Sequence, residues 1–377
     1  MERLTITAPE PLRVFQRTSL APGLGRGTVT VRGLGAPESA ARARVRTIAT
    51  AEAFGEESGW VDAPLKREPD GSFELSAEVP AGGWFHLDVR LLAGDGTAVA
   101  TGEVVPVGVG EVFVVAGQSY AAVCHERVLV VEDPMGRVVA TSPEQPGWRY
   151  AHDPQPRIVT RIDGDALAEI AEVLDQLDLS FPHGDRSPFL GTIWPAFGNN
   201  LLLLERVPVA LVHAAVGATR VGMWHPGSQL FANVVDAVEM AGDYRAVLWQ
   251  QGESDVAYGT TTEEYAAALR AMRSALVSRT GLDRPWLPAK STHHPLGPAE
   301  PGDEAPVRAA VDLLWGEEGF APGPDTDTLQ GPDHRAGWFR GAHLTALGQQ
   351  RAGLLWAGAV HALLRRPAPS NFEDHHA

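Results

Sequence analysis

Val114-Val115-Ala116-Gly117-Gln118-Ser119-Tyr120 is the stretch that decides the fold. The run from Val112 to Ala116 is apolar without alternation, the pattern of a strand buried on both faces in a parallel sheet. It ends in a glycine and then delivers a serine. Ligands in open α/β sheets sit at the carboxyl ends of strands, so Ser119 is a candidate nucleophile. A serine after a strand more often caps a helix or closes a turn. Two later segments raise the catalytic reading above that: Trp249-Gln250-Gln251-Gly252-Glu253-Ser254-Asp255 and Gly341-Ala342-His343-Leu344-Thr345. They complete a set of serine, carboxylate and histidine in that chain order.

Outward from this strand the chain changes character at Gly108. Downstream, apolar strands are predicted at Val112–Ala116, Val209–Ala215, Ala246–Trp249 and Trp286–Ala289. They alternate with helices at Ala166–Leu177, after Pro195, at Thr262–Thr280 and at Thr345–Arg366. Tyr265, Leu269, Met272 and Leu276 form one face of the third helix, with Thr261 and Glu264 spaced as a capping box. This alternation predicts an α/β domain with a mostly parallel sheet over residues 108–366. Upstream, Phe73 to Val79 and Phe85 to Leu91 alternate in and out, with Asp95-Gly96 as a hairpin turn. Thr28–Arg32 and Arg44–Ile48 are weaker strands. Residues 1–107 therefore read as a small antiparallel β-sandwich, a packing or spacer domain with glycan binding as the alternative. The tail 367–377 is expected to be disordered.

Bulk properties bound the function. The 377 residues exceed the size at which one core stops growing, so two domains are expected. A formal charge of -16 disfavours nucleic acid and anionic membranes as partners. No apolar stretch approaches the ~20 residues of a membrane span, and no signal-peptide core is visible. One cysteine, Cys124, excludes an internal disulfide. Cytoplasm is the expected compartment, or secretion if a leader has been removed. A phosphate loop, a dinucleotide fingerprint, His-Glu-x-x-His and the Gly-x-Ser-x-Gly elbow are all missing from the sequence, so no cofactor or metal is expected.

The ordered blocks Gly117-Gln118-Ser119, Gly191-Thr192-Ile193-Trp194-Pro195-Ala196-Phe197-Gly198, Gly217-Ala218-Thr219 with Trp224, Gln251-Gly252-Glu253-Ser254-Asp255, and His343 with Gly348 resemble the SGNH hydrolase superfamily. Within it they resemble the sialate O-acetylesterase-like carbohydrate esterases, which include acetyl xylan esterases. The resemblance covers roughly Gly108 to Arg366. It implies a three-layer, flavodoxin-like α/β fold and a serine esterase acting on O-acetyl groups of a carbohydrate, such as an acetylated sialic acid or plant polysaccharide. The leading β-domain looks like the sandwich that often precedes this catalytic domain.

Ester cleavage by serine needs a base, an acid to orient the base, and donors for the oxyanion. Ser119 and His343 fill the first roles. The resemblance implies an oxyanion hole from the Ser119 and Gly217 N–H groups, with Gln251 standing where the superfamily has asparagine. Many relatives carry aspartate three residues before the histidine; here that position is Arg340, which cannot accept the ring N–H. Glu253 is therefore expected to be the acid, with Asp333 in reserve and Asp255 structural. Tyr120 stands where relatives carry asparagine. Gln118, Tyr120, Trp224 and Arg335 are the expected substrate-binding residues, Arg335 holding an acidic sugar or pairing with Asp333. Trp194, Trp224 and Trp249 also suit core and cleft wall, and His125, His183, His293 and His294 suit the rim. The expected partner is a small-molecule or glycan ester. The alternative function is a catalytically degenerate carbohydrate-binding protein, motivated by Arg340 and Tyr120.

Overall fold

The structure, a computed structural model, describes residues 1–176, 190–293, 302–337, 341 and 343–366. The described strands of the N-terminal part are β1 (Glu2–Arg3), β2 (Thr5–Ala8), β3 (Val14–Ser19), β4 (Arg26–Leu34), β5 (Arg42–Gly55), β6 (Val61–Ala63), β7 (Leu65–Arg67), β8 (Phe73–Pro80) and β9 (Gly82–Leu92). Then come β10 (Ala98–Gly117), α1 (Ser119–Ala122), β11 (Val138–Thr141), β12 (Arg149–Tyr150), α2 (Gly164–Gln176), α3 (Trp194–Glu205), β13 (Val209–His213) and α4 (Gln229–Ala241). The chain continues through β14 (Ala246–Gln250), α5 (Glu253–Tyr258), α6 (Thr262–Thr280), β15 (Trp286–Pro288), α7 (Ala305–Trp315) and α8 (Ala346–Leu364). The protein is thus mixed α/β, with one large sheet system and eight helices among the described residues. No helix among them is long and apolar enough to cross a membrane. The tail, His183, His294 and Arg340 lie outside the described residues.

Strands β11, β13, β10, β14 and β15 run parallel in that spatial order, with β12 antiparallel at one edge. Because each strand is apolar on both sides, alternate residues feed two cores. Val112, Val114, Val212 and Trp249 pack with α4, α6 and α7; Phe113, Val115, Leu211 and Leu248 pack with α3 and α8. Helices therefore cover both faces of the sheet. Here the connection 118–137 carries β11 one position further out, and β13 fills the gap beside β10.

The boundary expected after residue 107 falls inside β10. This strand is one 20-residue element. Its first half pairs antiparallel with β9, and its second half is the central strand of the parallel sheet. Gly108, where the chain changes character in sequence, is a close-packing position, and so is Gly110. A Cβ would stand 2.9 Å from Pro208 Cγ at Gly108 and 2.0 Å from the Pro208 carbonyl oxygen at Gly110. Upstream, β4 and β8 face β5, β9 and the start of β10 across a shared core of Val31, Val45, Leu75, Val79, Leu87 and Leu91.

A buried charge network fastens the two parts together. Arg17 of β3, 2% exposed, donates to Glu111 Oε1 at 2.5 Å and to Glu205 Oε2 at 2.7 Å. Arg245 Nε reaches Glu111 Oε2 at 2.7 Å, and His361 Nδ1 lies 2.6 Å from Glu205 Oε1. Removing one partner from such a network leaves buried charge uncompensated. Arg17→Met is expected to destabilise the protein by about 3–5 kcal/mol, read from the urea midpoint. A loss below ~1 kcal/mol would show that the carboxylates are satisfied without Arg17.

Candidate active site

Gly117 ends β10 at φ +126°, and a Cβ there would come within 2.1 Å of the Gln250 carbonyl oxygen. Only glycine lets the strand run that close to β14 and then turn into α1. The turn places Ser119 at the carboxyl end of the central strand, half-buried at the first position of the short helix. His343 arrives from the segment before α8, whose first turn is capped by the Thr345 hydroxyl accepting the Gly348 N–H. The Ser119 hydroxyl lies 3.2 Å from His343 Nε2, within reach to donate to it. Two residues 224 positions apart in sequence, singled out as nucleophile and base, are brought together.

Gly217 follows β13 and borders the same hydroxyl. A Cβ on Gly217 would lie 3.9 Å from both Ser119 Cα and Cβ. The next residue, Ala218, holds φ +59°, a left-handed conformation that costs a non-glycine residue about 1 kcal/mol or more. Among the described residues neither the Ser119 nor the Gly217 N–H donates a hydrogen bond within the protein.

The Gln-Gly-Glu block is arranged differently from expectation. Gln251 is fully buried, and its amide nitrogen faces Asp255 Oδ2 at 2.5 Å, the Thr219 carbonyl at 3.0 Å and Gln118 Oε1 at 3.1 Å. An amide has two N–H donors, so this network consumes both, and Gln251 has none left for an oxyanion. Asp255 also accepts from Val221 N–H and the Thr260 hydroxyl, the structural role expected of it. Glu253 accepts the Ser291 hydroxyl on Oε1 at 2.5 Å, while Oε2 makes no hydrogen bond. The expected Glu253–His343 hydrogen bond is thus not formed in this structure; Ser291, which nothing in the sequence marked, occupies the carboxyl instead.

Burial pushes the Glu253 carboxyl up to about 8, against the Ser291 hydrogen bond, which pulls it down. The folded protein therefore holds a proton that the unfolded chain releases near pH 4.5. Stability from this group is complete below that pH and is lost as pH rises towards 8, at about 1.4 kcal/mol per pH unit. Glu253→Gln is expected to flatten that part of the stability profile between pH 5 and 7.5, measured by urea unfolding. An unchanged slope would mean the carboxyl is already ionised in the fold.

The four expected substrate-binding residues are all buried. Gln118, 3% exposed, accepts from Gln251 and from the Ser254 N–H. Trp224, fully buried, donates to Thr219 Oγ1 and meets Trp249 edge-on at 5.3 Å. Tyr120, 2% exposed, packs beneath the site, and its hydroxyl accepts from Arg335. Arg335, 6% exposed, also donates to the Leu329 and Thr326 carbonyls. These side chains brace the wall, and their polar atoms are turned inward because a buried polar group must find a partner in the protein. His125, expected at the rim, is likewise fully buried, against the rings of Tyr120 and His343. His293 does reach the rim: it is half-buried, with Nε2 3.7 Å from where a Gly341 Cβ would stand. Asp333 is exposed and supplies its backbone carbonyl to Thr345. Among the described residues one group of ligand atoms is close enough for a cation, His86, Asp88 and Glu103, and it lies on β9 and β10 outside the cleft.

Residues 109–292 match the family described as carbohydrate esterase, sialic acid-specific acetylesterase. The "Probable carbohydrate esterase" of Arabidopsis thaliana is 35% identical over 100 residues, which is 25% of this chain and 38% of that relative. The crystal structure of a carbohydrate acetylesterase from Xanthomonas citri superposes over 96% of this chain and 75% of its own, with a TM-score of 0.54 and 16% identity. That likeness extends over the N-terminal strands as well as the parallel sheet. Residues 109–292 are thus similar to the sialic acid-specific acetylesterase family of carbohydrate esterases, and the chain spans well under half the length of the curated relative it matches.

Proposed function

We propose that this protein is a serine esterase that hydrolyses O-acetyl esters on a carbohydrate through an acyl-serine intermediate. The observation that carries it is the 3.2 Å contact of Ser119 Oγ with His343 Nε2 at the carboxyl end of the central strand. In this reading Ser119 attacks the ester carbonyl carbon as His343 takes its proton. The N–H groups of Ser119 and Gly217 receive the oxyanion. The intermediate collapses, the sugar oxygen leaves with the proton from His343, and a water activated by His343 then releases acetate. The chain would comprise a β-sandwich accessory region, an SGNH-type esterase domain and a short tail, with β10 shared by the first two.

Glu253 is the acid in this proposal. Its Oε2, without a hydrogen bond in the resting site, would accept the His343 N–H as the imidazolium forms, in the fraction of molecules whose Glu253 carboxyl has ionised, so turnover should rise as pH approaches 8; catalytic hydrogen bonds often tighten only when substrate is bound. Glu253→Gln is expected to lower turnover by about 10²–10⁴-fold. Unchanged turnover would place the acid elsewhere.

The degenerate-binder alternative is not favoured. Tyr120, one of its two motivations, packs under the nucleophile and leaves the hydroxyl accessible. The direct test is acetate release from 4-nitrophenyl acetate and from acetylated sugars, with mass-spectrometric detection of a fluorophosphonate adduct on Ser119. An inactive wild-type protein whose Ser119 takes no label would refute the proposal.

A further inference from the structure

His125 has no part in the reaction as written, yet it touches both the ring of the base and the backbone of the residue after it. Its backbone is fixed by an antiparallel bridge to Gly191, with N–H to O at 3.0 Å in one direction and 3.3 Å in the other. Its Nδ1 accepts the N–H of Leu344, the residue after His343, at 3.2 Å. The next residue, Glu126, donates its N–H to the Leu344 carbonyl at 3.1 Å and accepts the Ala346 N–H on Oε2 at 2.9 Å. Both backbone groups of Leu344 are thus gripped by two consecutive residues. The His125 ring also meets the His343 ring at 5.7 Å and 75°, and the Tyr120 ring at 5.0 Å and 83°.

We propose that His125 is a positioning residue that fixes the His343 imidazole within reach of the Ser119 hydroxyl, by accepting the Leu344 N–H and walling one side of the ring. This rests on the assignment of Ser119 and His343 as nucleophile and base. With Nδ1 accepting, the neutral ring carries its proton on Nε2. Burial drives this histidine's pKa down to about 3, so it stays neutral beside the imidazolium that catalysis creates. Its Nε2 is buried without a hydrogen bond, a cost that an aliphatic side chain of similar volume would avoid. Leucine would fill the space but leave the Leu344 N–H unpaired. Asparagine can present Oδ1 close to the place of Nδ1.

The experiment compares wild type, His125→Leu and His125→Asn in steady-state hydrolysis of 4-nitrophenyl acetate, fluorophosphonate labelling of Ser119, and thermal unfolding. A displacement of the base by about 1 Å is enough to cost up to ~10²-fold. His125→Leu is therefore expected to lose on the order of 10–100-fold in kcat and in labelling rate, with KM within about twofold. His125→Asn is expected to stay within about fivefold of wild type on both. If His125→Leu fails to fold, His125→Gln, whose longer chain moves the acceptor out of register, takes its place with the same expected loss. A folded His125→Leu with wild-type kcat, a change confined to KM, or a His125→Asn as impaired as His125→Leu would each overturn the proposal. Failure of wild-type Ser119 to label removes the catalytic assignment itself. A labelled wild type with an unaffected leucine variant removes only the role of His125.

Discussion

Ser119→Ala is expected to reduce turnover of a small acetyl ester by about a million-fold, to the level set by binding and the oxyanion donors alone. His343→Ala should do the same, because a hydroxyl without its base is a weak nucleophile and a base without its hydroxyl has nothing to deprotonate. The two side chains touch, so their effects are not independent. The double variant is expected to be little worse than either single one. Folding should survive in both: Ser119 is half-buried at the site surface, and His343 lies in a loop segment at the cleft rather than in either core cluster. Steady-state rates with circular dichroism on each variant check this. Substantial turnover in Ser119→Ala would mean that another group is the nucleophile.

A fragment beginning at Gly108 is expected not to fold. The cut would sever β10 and strip β9 and β3 from the half that remains. It would remove Val14 and Trp84 from the core that packs against α4 and α6. It would also take Arg17 and Gln16 away from Glu111, which is fully buried. Losing a buried tryptophan costs about 3–5 kcal/mol, and leaving a buried carboxylate short of its partner costs a similar amount. Together these match the 5–15 kcal/mol that separates an ordinary fold from its unfolded chain. Soluble yield, circular dichroism and turnover of the fragment test it. A stable fragment with native turnover would show that the parallel sheet is independent of the N-terminal strands.

Much of the fold was legible because local signals and tertiary demands agree. α6 spans the predicted residues, with the Thr261–Glu264 capping box formed and Tyr265, Leu269, Met272 and Leu276 buried. The strand before Asp95-Gly96 is likewise where the alternation of Phe85 to Leu91 put it, paired across that turn with β10. The sequence is ambiguous where one residue type serves two purposes. Gly108 marks a change of character in sequence, and in the fold it lets a continuous strand pass Pro208. In the site, residue chemistry singled out a serine and a histidine that the fold brings to 3.2 Å. It could not say which way Gln251, Arg335 and Trp224 point, because a polar or aromatic side chain beside a motif reads the same whether it faces substrate or a buried protein acceptor. The buried place of His125 and the role of Ser291 were hidden for the converse reason: their partners, Leu344 and Glu253, are 219 and 38 residues away.

The inward orientation of Gln118, Tyr120, Trp224 and Arg335 bears on how such a protein can diversify. Around the site, Val123, Gly217, Ala218 and Gly341 are small or short and partly exposed, and Gly217 borders Ser119 directly. Substituting Val123 or adding to the neighbouring loops would reshape the mouth while leaving the bracing layer untouched, since surface changes away from such networks alter stability by only about 0.5 kcal/mol. On the proposed function, selectivity among ester substrates can therefore drift in a lineage nearly independently of Ser119 and His343. Descendants would diverge first in the rim, while the hydroxyl, the imidazole and the layer beneath them are inherited as one block.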